Sequence, residues 1–244
     1  MFPIDLEILK YVLYERYIFA IKQRPFRKTD DYISLQETLV HYRRKRSLLK
    51  EPIQTAPFTI FDLETTGLFP ELGHEIISIG AIRINGTQPL TYQRFHQHIK
   101  PIRPVSKRTR DLTGLTKEDL ANAPSFPKAF QEFLQFCEGS ILVAYPAAFD
   151  MHFVEKMLKR WKLPVTTPYT IDAQAIAKQI YPNQRTQLDR MIAELGIQKL
   201  GRHHALNDAI MTAELFQVLL NECHQRDIHT THELMEIAQS IGKS

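Results

Sequence analysis

The sequence predicts an α/β fold, in which helices cover a mixed sheet of five strands and a helical extension precedes the sheet. Two observations predict it. Three strand-like segments follow one another, with Asn85-Gly86 as a hairpin signal, and two later apolar segments then alternate with helical patterns. The chain has 244 residues, 43% of them hydrophobic and 24% charged, which excludes fibrous and disordered classes.

The first quarter of the chain has the pattern of a basic helical extension. Apolar side chains recur at helical spacing over residues 4–21, and Ser34 with Glu37 predicts the start of a second helix that runs into the basic residues 43–46. Residues 1–55 hold 11 basic and 7 acidic side chains, which leaves 20 of each, from totals of 31 and 27, for the remainder. Such an asymmetry can mark a nucleic-acid contact.

A different pattern begins near residue 56, after a short linker that contains Pro52. The predicted strands span residues 58–64, 75–85, 92–99, 141–145 and 169–171. Two predicted helices begin after Thr116 and Ser125, and four more span about 149–160, 172–180, 187–195 and 204–221. The last twenty or so residues have the pattern of one more amphipathic helix. We therefore expect an extension over 1–55, a main domain over 56–222 and a helical tail over 223–244.

The cysteines and the apolar segments bear on the compartment. The two cysteines, Cys137 and Cys223, allow no disulfide framework and no cysteine-based zinc cluster, which fits a reducing compartment. The apolar stretch at residues 4–21 is interrupted by charged side chains and so does not resemble a membrane span or a signal peptide. We expect a cytoplasmic protein without a membrane partner.

Four acidic side chains form the strongest functional signal. Asp62 and Glu64 are two apart on a predicted strand, so both carboxylates lie on one face, and a hard divalent cation would relieve their repulsion. Asp150 follows another predicted strand, and Asp208 lies near the start of the last long helix. Because ligands bind outside the carboxyl ends of the strands in open α/β sheets, the four could converge there. Taken singly, each acid could instead be an ordinary solvent-facing or helix-start residue.

Two adjacent histidines precede Asp208. On a continuous helix His204 would share a face with Asp208, whereas His203 can approach the acids only from a loop before the helix. Spacing does not choose between them. A histidine beside a metal site is a candidate general base, because its pKa lies near the operating pH.

These residues resemble a known family. Residues 62–68 (Asp-Leu-Glu-Thr-Thr-Gly-Leu), 149–150 (Phe-Asp) and 203–209 (His-His-Ala-Leu-Asn-Asp-Ala) are similar to the three motifs of the DEDDh-type 3′→5′ exonucleases. This group includes the epsilon proofreading subunit of bacterial DNA polymerase III, RNase T and oligoribonuclease. The resemblance covers about residues 56–222, and its strength lies in all the motifs occurring in order.

The resemblance implies a ribonuclease H-like fold and two bound divalent cations, normally Mg²⁺, with Mn²⁺ accepted. Carried over to this chain, Asp62 bridges both ions, Glu64 and Asp208 hold the first, and Asp150 supports the second. The resemblance also assigns the role of general base to His203.

The family further implies a site for the 3′-terminal nucleotides. Thr65 and Thr66 would place backbone groups near the terminal 3′-OH, and Leu68, Leu112 and Phe149 could pack against the last bases. Simple core packing is the alternative for these last three.

One segment departs from the family pattern. Where many members have His-Asn-Ala before Phe-Asp, this chain has Tyr145-Pro146-Ala147, so an amide side chain and a backbone donor are missing. We expect altered substrate handling or an altered rate, with the chemistry retained.

The resemblance does not extend to the basic residues of the first quarter. Arg43, Arg44, Lys45 and Arg46, with interleaved aromatic side chains, could follow the phosphates of a single strand. The favoured alternative is a helical hairpin that packs its aromatic side chains on the main domain and solvates its charges.

The expected function is that of a metal-dependent 3′→5′ exonuclease. It would release nucleoside 5′-monophosphates from single-stranded or frayed DNA ends in proofreading or repair, with a DNA polymerase as a candidate partner. One alternative is the same chemistry on RNA ends or short oligoribonucleotides. Another is an inactive nuclease fold that serves as a nucleic-acid-binding scaffold.

Overall fold

The computed structural model describes residues 4–90 and 93–240. Within these residues, five strands form one sheet in the order β3-β2-β1-β4-β5. They are β1 (Pro57–Thr65), β2 (Ile76–Asn85), β3 (Arg94–His98), β4 (Ile141–Ala144) and β5 (Thr170–Asp172). Strands β1, β2 and β3 pair antiparallel, whereas β4 runs parallel to both β1 and β5. The mixed five-stranded sheet predicted from the sequence is confirmed.

Helices lie before, between and after the strands. They are α1 (Ile4–Lys10), α2 (Arg16–Lys22), α3 (Asp30–His41), α4 (Lys107–Thr113), α5 (Lys117–Asn122), α6 (Phe126–Phe136), α7 (Ala147–Arg160), α8 (Ala173–Ile180), α9 (Leu188–Glu194), α10 (Ala205–His224) and α11 (Thr231–Ser240). A π-helical turn, Tyr11–Glu15, joins α1 to α2. The short helix α4 was not predicted, because its sequence is polar and carries no apolar period; Ser106 caps its start and Gly114, in the left-handed region, ends it.

The two faces of β1 separate the hydrophobic core into two parts. Phe58 and Ile60 point to the side covered by α8, α9, α10 and α11, where Phe58 meets the ring of Phe216 edge-on. Phe61 and Leu63 point to the opposite side, covered by α6 and α7. Because side chains alternate along a strand, Asp62 and Glu64 continue the face that α10 covers.

The start and end of α3 differ from the prediction. Thr29, not Ser34, caps the helix, by accepting a hydrogen bond from the Tyr32 N–H at 3.4 Å. The helix therefore begins five residues earlier, with Asp30 and Asp31 in its first turn, where the helix dipole favours acids. It ends at His41, so the basic residues 43–46 lie beyond it and not on a continuous helix.

The extension packs aromatic side chains on the main domain. Phe19 and Phe26 each meet the Trp161 ring edge-on, with centroids 5.8 Å apart. The Tyr32 hydroxyl donates to the Trp161 carbonyl at 3.0 Å. Other aromatic side chains of the extension, such as Tyr14 and Tyr17, are exposed.

The basic segment 43–46 contacts protein atoms as well as solvent. Arg43 donates to the carbonyls of Val40 and Tyr42, at 3.0 and 2.9 Å. Arg44 donates to the Thr167 carbonyl at 2.9 Å and lies over the Tyr169 ring. Lys45 is 4.0 Å from the Glu138 carboxylate, and Arg46 is exposed. These contacts place the segment beside β5 and the end of α6.

Three remaining predictions concern the ends of elements. Tyr92, the expected start of the third strand, lies outside the described residues, as do residues 241–244 of the tail. Helix α10 continues to His224, two residues past the expected boundary at 222.

Within the described chain, no helix combines the length and the apolarity needed to cross a membrane.

Candidate active site

Asp62 and Glu64 lie at the carboxyl end of β1, the central strand of the sheet. Both are on the face toward α10, and the pairing of β1 with β2 shifts register between Glu64 and Thr65. The shift ends regular pairing just beyond the two acids, so the chain turns away from the sheet there.

Asp208 reaches these two acids from the first turn of α10. Its approach depends on Gly80, which is paired with Asp62 across β1 and β2. A Cβ at Gly80 would lie 2.1 Å from the Leu206 nitrogen and 2.2 Å from the Ala205 carbonyl carbon. Only glycine lets the start of α10 come this close to the sheet.

The result is a cluster of three carboxylates. Oxygen atoms of Asp62, Glu64 and Asp208 all lie within 4.8 Å of one another. The donors are all carboxylate oxygens, which is the ligand chemistry that Mg²⁺ and Mn²⁺ prefer. The residues therefore fit a divalent cation.

Asp150 lies in the first turn of α7, and only 3% of its surface is exposed. The backbone N–H of Leu63, which is next to Asp62 in the chain, favours the ionised form of Asp150 and lowers its pKa against the effect of burial. Asp150 is not a member of the three-carboxylate cluster, but its charge is the largest electrostatic influence on Asp62. The charges of Asp150, Asp208 and Glu64 therefore all act on Asp62.

Burial and mutual repulsion make the carboxyl groups reluctant to ionise. Burial, followed by the charges of Asp150, Asp208 and Glu64, raises the pKa of Asp62 well above its ordinary value. Burial, and then Asp208, raises the pKa of Glu64 to about 7. Burial likewise raises the pKa values of Asp150 and Asp208, the latter against the opposing effect of Arg202. A bound cation would relieve this cost.

His203 and His204 occupy different places. His203 lies in the loop before α10, is exposed, and has a φ of 60°, with its backbone N–H donating to Asp208 Oδ2 at 3.1 Å. His204 is the N-cap of α10, and its ring packs on His96 at a centroid distance of 4.6 Å. Because the helix starts at Ala205, His204 does not share a helical face with Asp208.

Arg202 is a residue at the site that the sequence analysis did not assign. Its guanidinium donates to Asp208 Oδ1 and lies 3.3 Å from Asp189 Oδ1 on α9. Its sequence position, next to His203, was the one available signal, and a single arginine there is not specific enough to indicate this role.

The residues expected near the 3′-terminal nucleotide surround the end of β1. The Thr65 hydroxyl donates to the Gly67 carbonyl at 2.8 Å, and the Thr66 hydroxyl accepts the N–H of Glu75 at 2.9 Å. The side chains of Leu68 and Leu112 are 66% and 53% exposed, so they do not pack in the core.

Phe149, the third residue expected to contact the bases, is partly buried. Its ring centroid lies 5.0 Å from that of Phe153 on the same helix. Part of the Phe149 ring therefore packs in the core, as the alternative for this residue expected.

The segment that departs from the family pattern is well packed. Tyr145 is buried, and its hydroxyl donates to the Thr186 carbonyl at 2.5 Å, so the phenol belongs to the core under α8 and α9. Pro146, which follows a cis peptide bond, is the N-cap of α7. The substitution therefore leaves the helix of Asp150 in place.

Comparison with known proteins agrees with this arrangement. Residues 59–216 match the family model described as exonuclease, RNase T type, which is more than half of the chain. The chain belongs to this exonuclease family. A DNA polymerase III subunit epsilon of Rickettsia typhi is 35% identical over 166 residues, covering 66% of this chain and 72% of the relative.

Other relatives are much longer than this chain. The DNA polymerase III PolC-type protein of Thermotoga maritima is 40% identical over 187 residues, which is 76% of this chain but 13% of that protein. A DNA polymerase III subunit epsilon-like protein of Rhodobacter capsulatus is 32% identical over 203 residues, 81% of this chain and 28% of the relative. The chain thus spans a minor part of these relatives.

Solved structures show the same fold. The nuclease domain of 3′hExo, a DEDDh family member bound to rAMP, superposes with a TM-score of 0.62 at 23% identity, covering 69% of this chain and 93% of that one. Escherichia coli exonuclease I in complex with a dT13 oligonucleotide gives a TM-score of 0.60 at 16% identity, covering 70% of this chain and 42% of that one. The expected ribonuclease H-like fold is confirmed.

Proposed function

We propose that the chain is a metal-dependent 3′→5′ exonuclease that removes nucleoside 5′-monophosphates from single-stranded or frayed DNA ends. The observation that carries the proposal is the convergence of Asp62, Glu64 and Asp208 within 4.8 Å, beside the buried Asp150 of α7, whose charge acts on Asp62. The names of the relatives, which are DNA polymerase III proteins, favour DNA over RNA as the substrate.

Asp62, Glu64, Asp150 and Asp208 would hold two Mg²⁺ ions, with Mn²⁺ as a substitute. Two such ions, when bound, stabilise the attacking and leaving oxygens of an in-line displacement at phosphorus. Asp62 would have a part in holding both, because its oxygens lie beside those of Glu64 and Asp208 and the charge of Asp150 also acts on it.

His203 would act as the general base. Its exposed imidazole takes a proton from the attacking water at a ring nitrogen, the water oxygen bonds to phosphorus, and the bond from phosphorus to the 3′-oxygen breaks. The departing 3′-oxygen takes a proton from a solvent water, and His203 returns its proton to solvent. The hydrogen bond from its own backbone to Asp208 keeps His203 beside the carboxylates.

Thr65, Thr66, Leu68, Leu112 and Phe149 would bind the terminal nucleotides. The exposed Leu68 and Leu112 side chains offer apolar contacts that any base can use, which suits an enzyme without sequence preference. For Arg43, Arg44, Lys45 and Arg46 we propose a structural role, because Arg44 and Lys45 contact the main domain.

The names of the relatives also support a place beside a DNA polymerase, in proofreading, and the cysteine content supports the cytoplasm. In this proposal residues 56–222 form the exonuclease domain, preceded by the extension 1–55 and followed by the tail 223–244.

The test is a digestion of matched substrates labelled at the 5′ end: single-stranded DNA, RNA of the same sequence, and a duplex with a mispaired 3′ end. With Mg²⁺ we expect the wild-type chain to give a descending ladder of labelled DNA strands and to release mononucleotides. Asp62→Asn should release none, and the surface control Glu118→Gln should release as much as wild type. Faster digestion of RNA would transfer the proposal to RNA ends. No release with either Mg²⁺ or Mn²⁺ would leave the scaffold alternative.

A further inference from the structure

The loop between β1 and β2, residues 66–75, carries two of the proposed contacts to the 3′-terminal nucleotide and is here called the 3′-end loop. It is closed at its base by two hydrogen bonds between Thr66 and Glu75: the Thr66 N–H donates to the Glu75 carbonyl at 2.8 Å, and the Glu75 N–H to the Thr66 hydroxyl at 2.9 Å. The buried Glu75 carboxylate accepts the N–H groups of Ile102 and Arg103, at 3.0 and 2.7 Å. The base of the loop is therefore tied to the segment that follows β3.

The interior of the 3′-end loop is filled by His74. A Cβ at Gly67 would lie 2.3 Å from the His74 ring, and the Phe69 N–H donates to His74 Nδ1 at 3.0 Å. The position of Gly67 and of the neighbouring Leu68 thus depends on where His74 sits.

Arg160, the last residue of α7, holds the far side of the loop. Its guanidinium donates to the carbonyls of Pro70 and His74, the latter at 3.0 Å. The same helix carries Asp150 in its first turn. One side chain therefore links the 3′-end loop to the helix that supports the carboxylate site.

The extension supports these contacts from outside. The Phe19 ring lies against the Arg160 guanidinium, 5.3 Å from its carbon to the ring centroid. Glu15 forms an ion pair with Arg103 at 3.4 Å, and Arg103 in turn donates to the Leu72 carbonyl at 3.1 Å.

Tyr11 completes the contact at the tip of the loop. Gly73 has a φ of 82°, and a Cβ there would be 2.6 Å from the Tyr11 ring. Tyr11, Glu15 and Phe19 are four residues apart along the π-helical turn and α2, and each contacts the loop or an arginine that holds it.

We propose that Phe19, Glu15 and Tyr11 of the extension are positioning residues for the 3′-end loop, acting through Arg160 and Arg103. The inference rests on the proposed exonuclease function. It assigns the extension a part in binding the terminal nucleotide although none of its three residues belongs to the proposed site.

The matched test compares Phe19→Leu with Phe26→Leu. Both rings meet Trp161 edge-on at 5.8 Å, so each substitution removes that contact, but the described cation contact with Arg160 belongs to Phe19. We expect Phe19→Leu to raise KM for a single-stranded oligonucleotide about fivefold, the size expected for one partly buried cation–ring contact, with kcat changed less than about twofold. Phe19→Tyr, which keeps the ring, should restore KM. Arg160→Lys, which loses the forked donor, should raise KM at least as much.

Two controls separate the outcomes. Hydrolysis of bis(4-nitrophenyl) phosphate, which has no nucleotide for the loop to bind, should be the same for wild type and Phe19→Leu. Thermal midpoints will show whether Phe19→Leu and Phe26→Leu destabilise the fold equally. Equal KM values for the two leucine variants would overturn the inference, since only general packing would then be at work. If the wild-type chain cleaves no oligonucleotide, the proposed function itself fails.

Discussion

Glu64→Gln should stabilise the cation-free protein at alkaline pH while removing its response to Mg²⁺. Burial and the Asp208 charge raise the pKa of Glu64 from 4.5 to about 7, so ionised Glu64 is unfavourable in the fold. At pH 8 this shift corresponds to about 3 kcal/mol at 1.36 kcal/mol per unit of pKa. Because the side chain keeps some contact with solvent, screening reduces the expected gain to about 2 kcal/mol.

The sign of the pH dependence follows from proton binding. The folded state holds the Glu64 proton more tightly than the unfolded state, so its contribution to stability is complete below the unfolded pKa of 4.5 and is lost as pH rises through about 7. The advantage of Glu64→Gln should therefore be largest above pH 7 and fall below about 1 kcal/mol at pH 5.

The assay is thermal unfolding with a chelator at pH 5 and pH 8, repeated with Mg²⁺ at pH 8. For a chain of this size, about 2 kcal/mol corresponds to about 4–8 °C in Tm. Mg²⁺ should raise the Tm of wild type by mass action and that of Glu64→Gln much less. Glu118→Gln, an exposed acid on α5, serves as the control and should change little. A Glu64→Gln protein less stable than wild type at pH 8 without metal would refute the reasoning.

Three further predictions concern the surroundings of the carboxylates. Gly80→Ala should lower the free energy of unfolding by about 3 kcal/mol and remove most of the activity, because its Cβ would lie 2.1 Å from the Leu206 nitrogen. The control Gly201→Ala, whose Cβ would lie 3.6 Å from its nearest contact, should change neither stability nor activity. Urea unfolding measures the stability of the two variants, and digestion assays measure their activity. His203→Gln should lower kcat at least about a hundredfold and leave the Mg²⁺-dependent rise in Tm intact. Loss of the rise in Tm would contradict the role of His203 as the general base. Tyr145→Phe should cost about 1 kcal/mol in urea unfolding and leave kcat unchanged, because its hydroxyl is bonded to the core at 2.5 Å.

The parts of the site that could be predicted are those that depend on a few residues close together in the sequence. Asp62 and Glu64 share a face because side chains alternate along any strand, so their pairing could be predicted from spacing. Gly80 was a signal left unused: a glycine inside an apolar strand often marks a close approach of backbone, here that of α10. The ion pair of Arg202 with Asp208 and Asp189 depends on how the start of α10 lies beside α9, which no short segment encodes.

The extension shows the same limit. Its helices could be predicted from apolar spacing, but the predicted N-cap of α3 was wrong. Ser34 and Glu37 match the sequence pattern of a capping box, whereas the observed cap is Thr29, which follows a turn that begins at Pro25 and precedes two acids. The stripe of Tyr11, Glu15 and Phe19 could not be predicted to face the main domain, because a spacing of four places side chains on one face of a helix without indicating what that face contacts.

The two carboxylate oxygens of Asp208 have different hydrogen-bond partners, both from the loop before α10. Its two oxygens accept from the Arg202 guanidinium and from the His203 N–H, and the latter bond is compatible with the left-handed conformation of His203. A cation bound to Oδ1 would compete with Arg202 for the same lone pairs. Arg202 would still keep its ion pair with Asp189, so cation binding need not leave a buried guanidinium without an acidic neighbour. The hydrogen bond from His203 to the other oxygen would remain, and with it the placement of the proposed base.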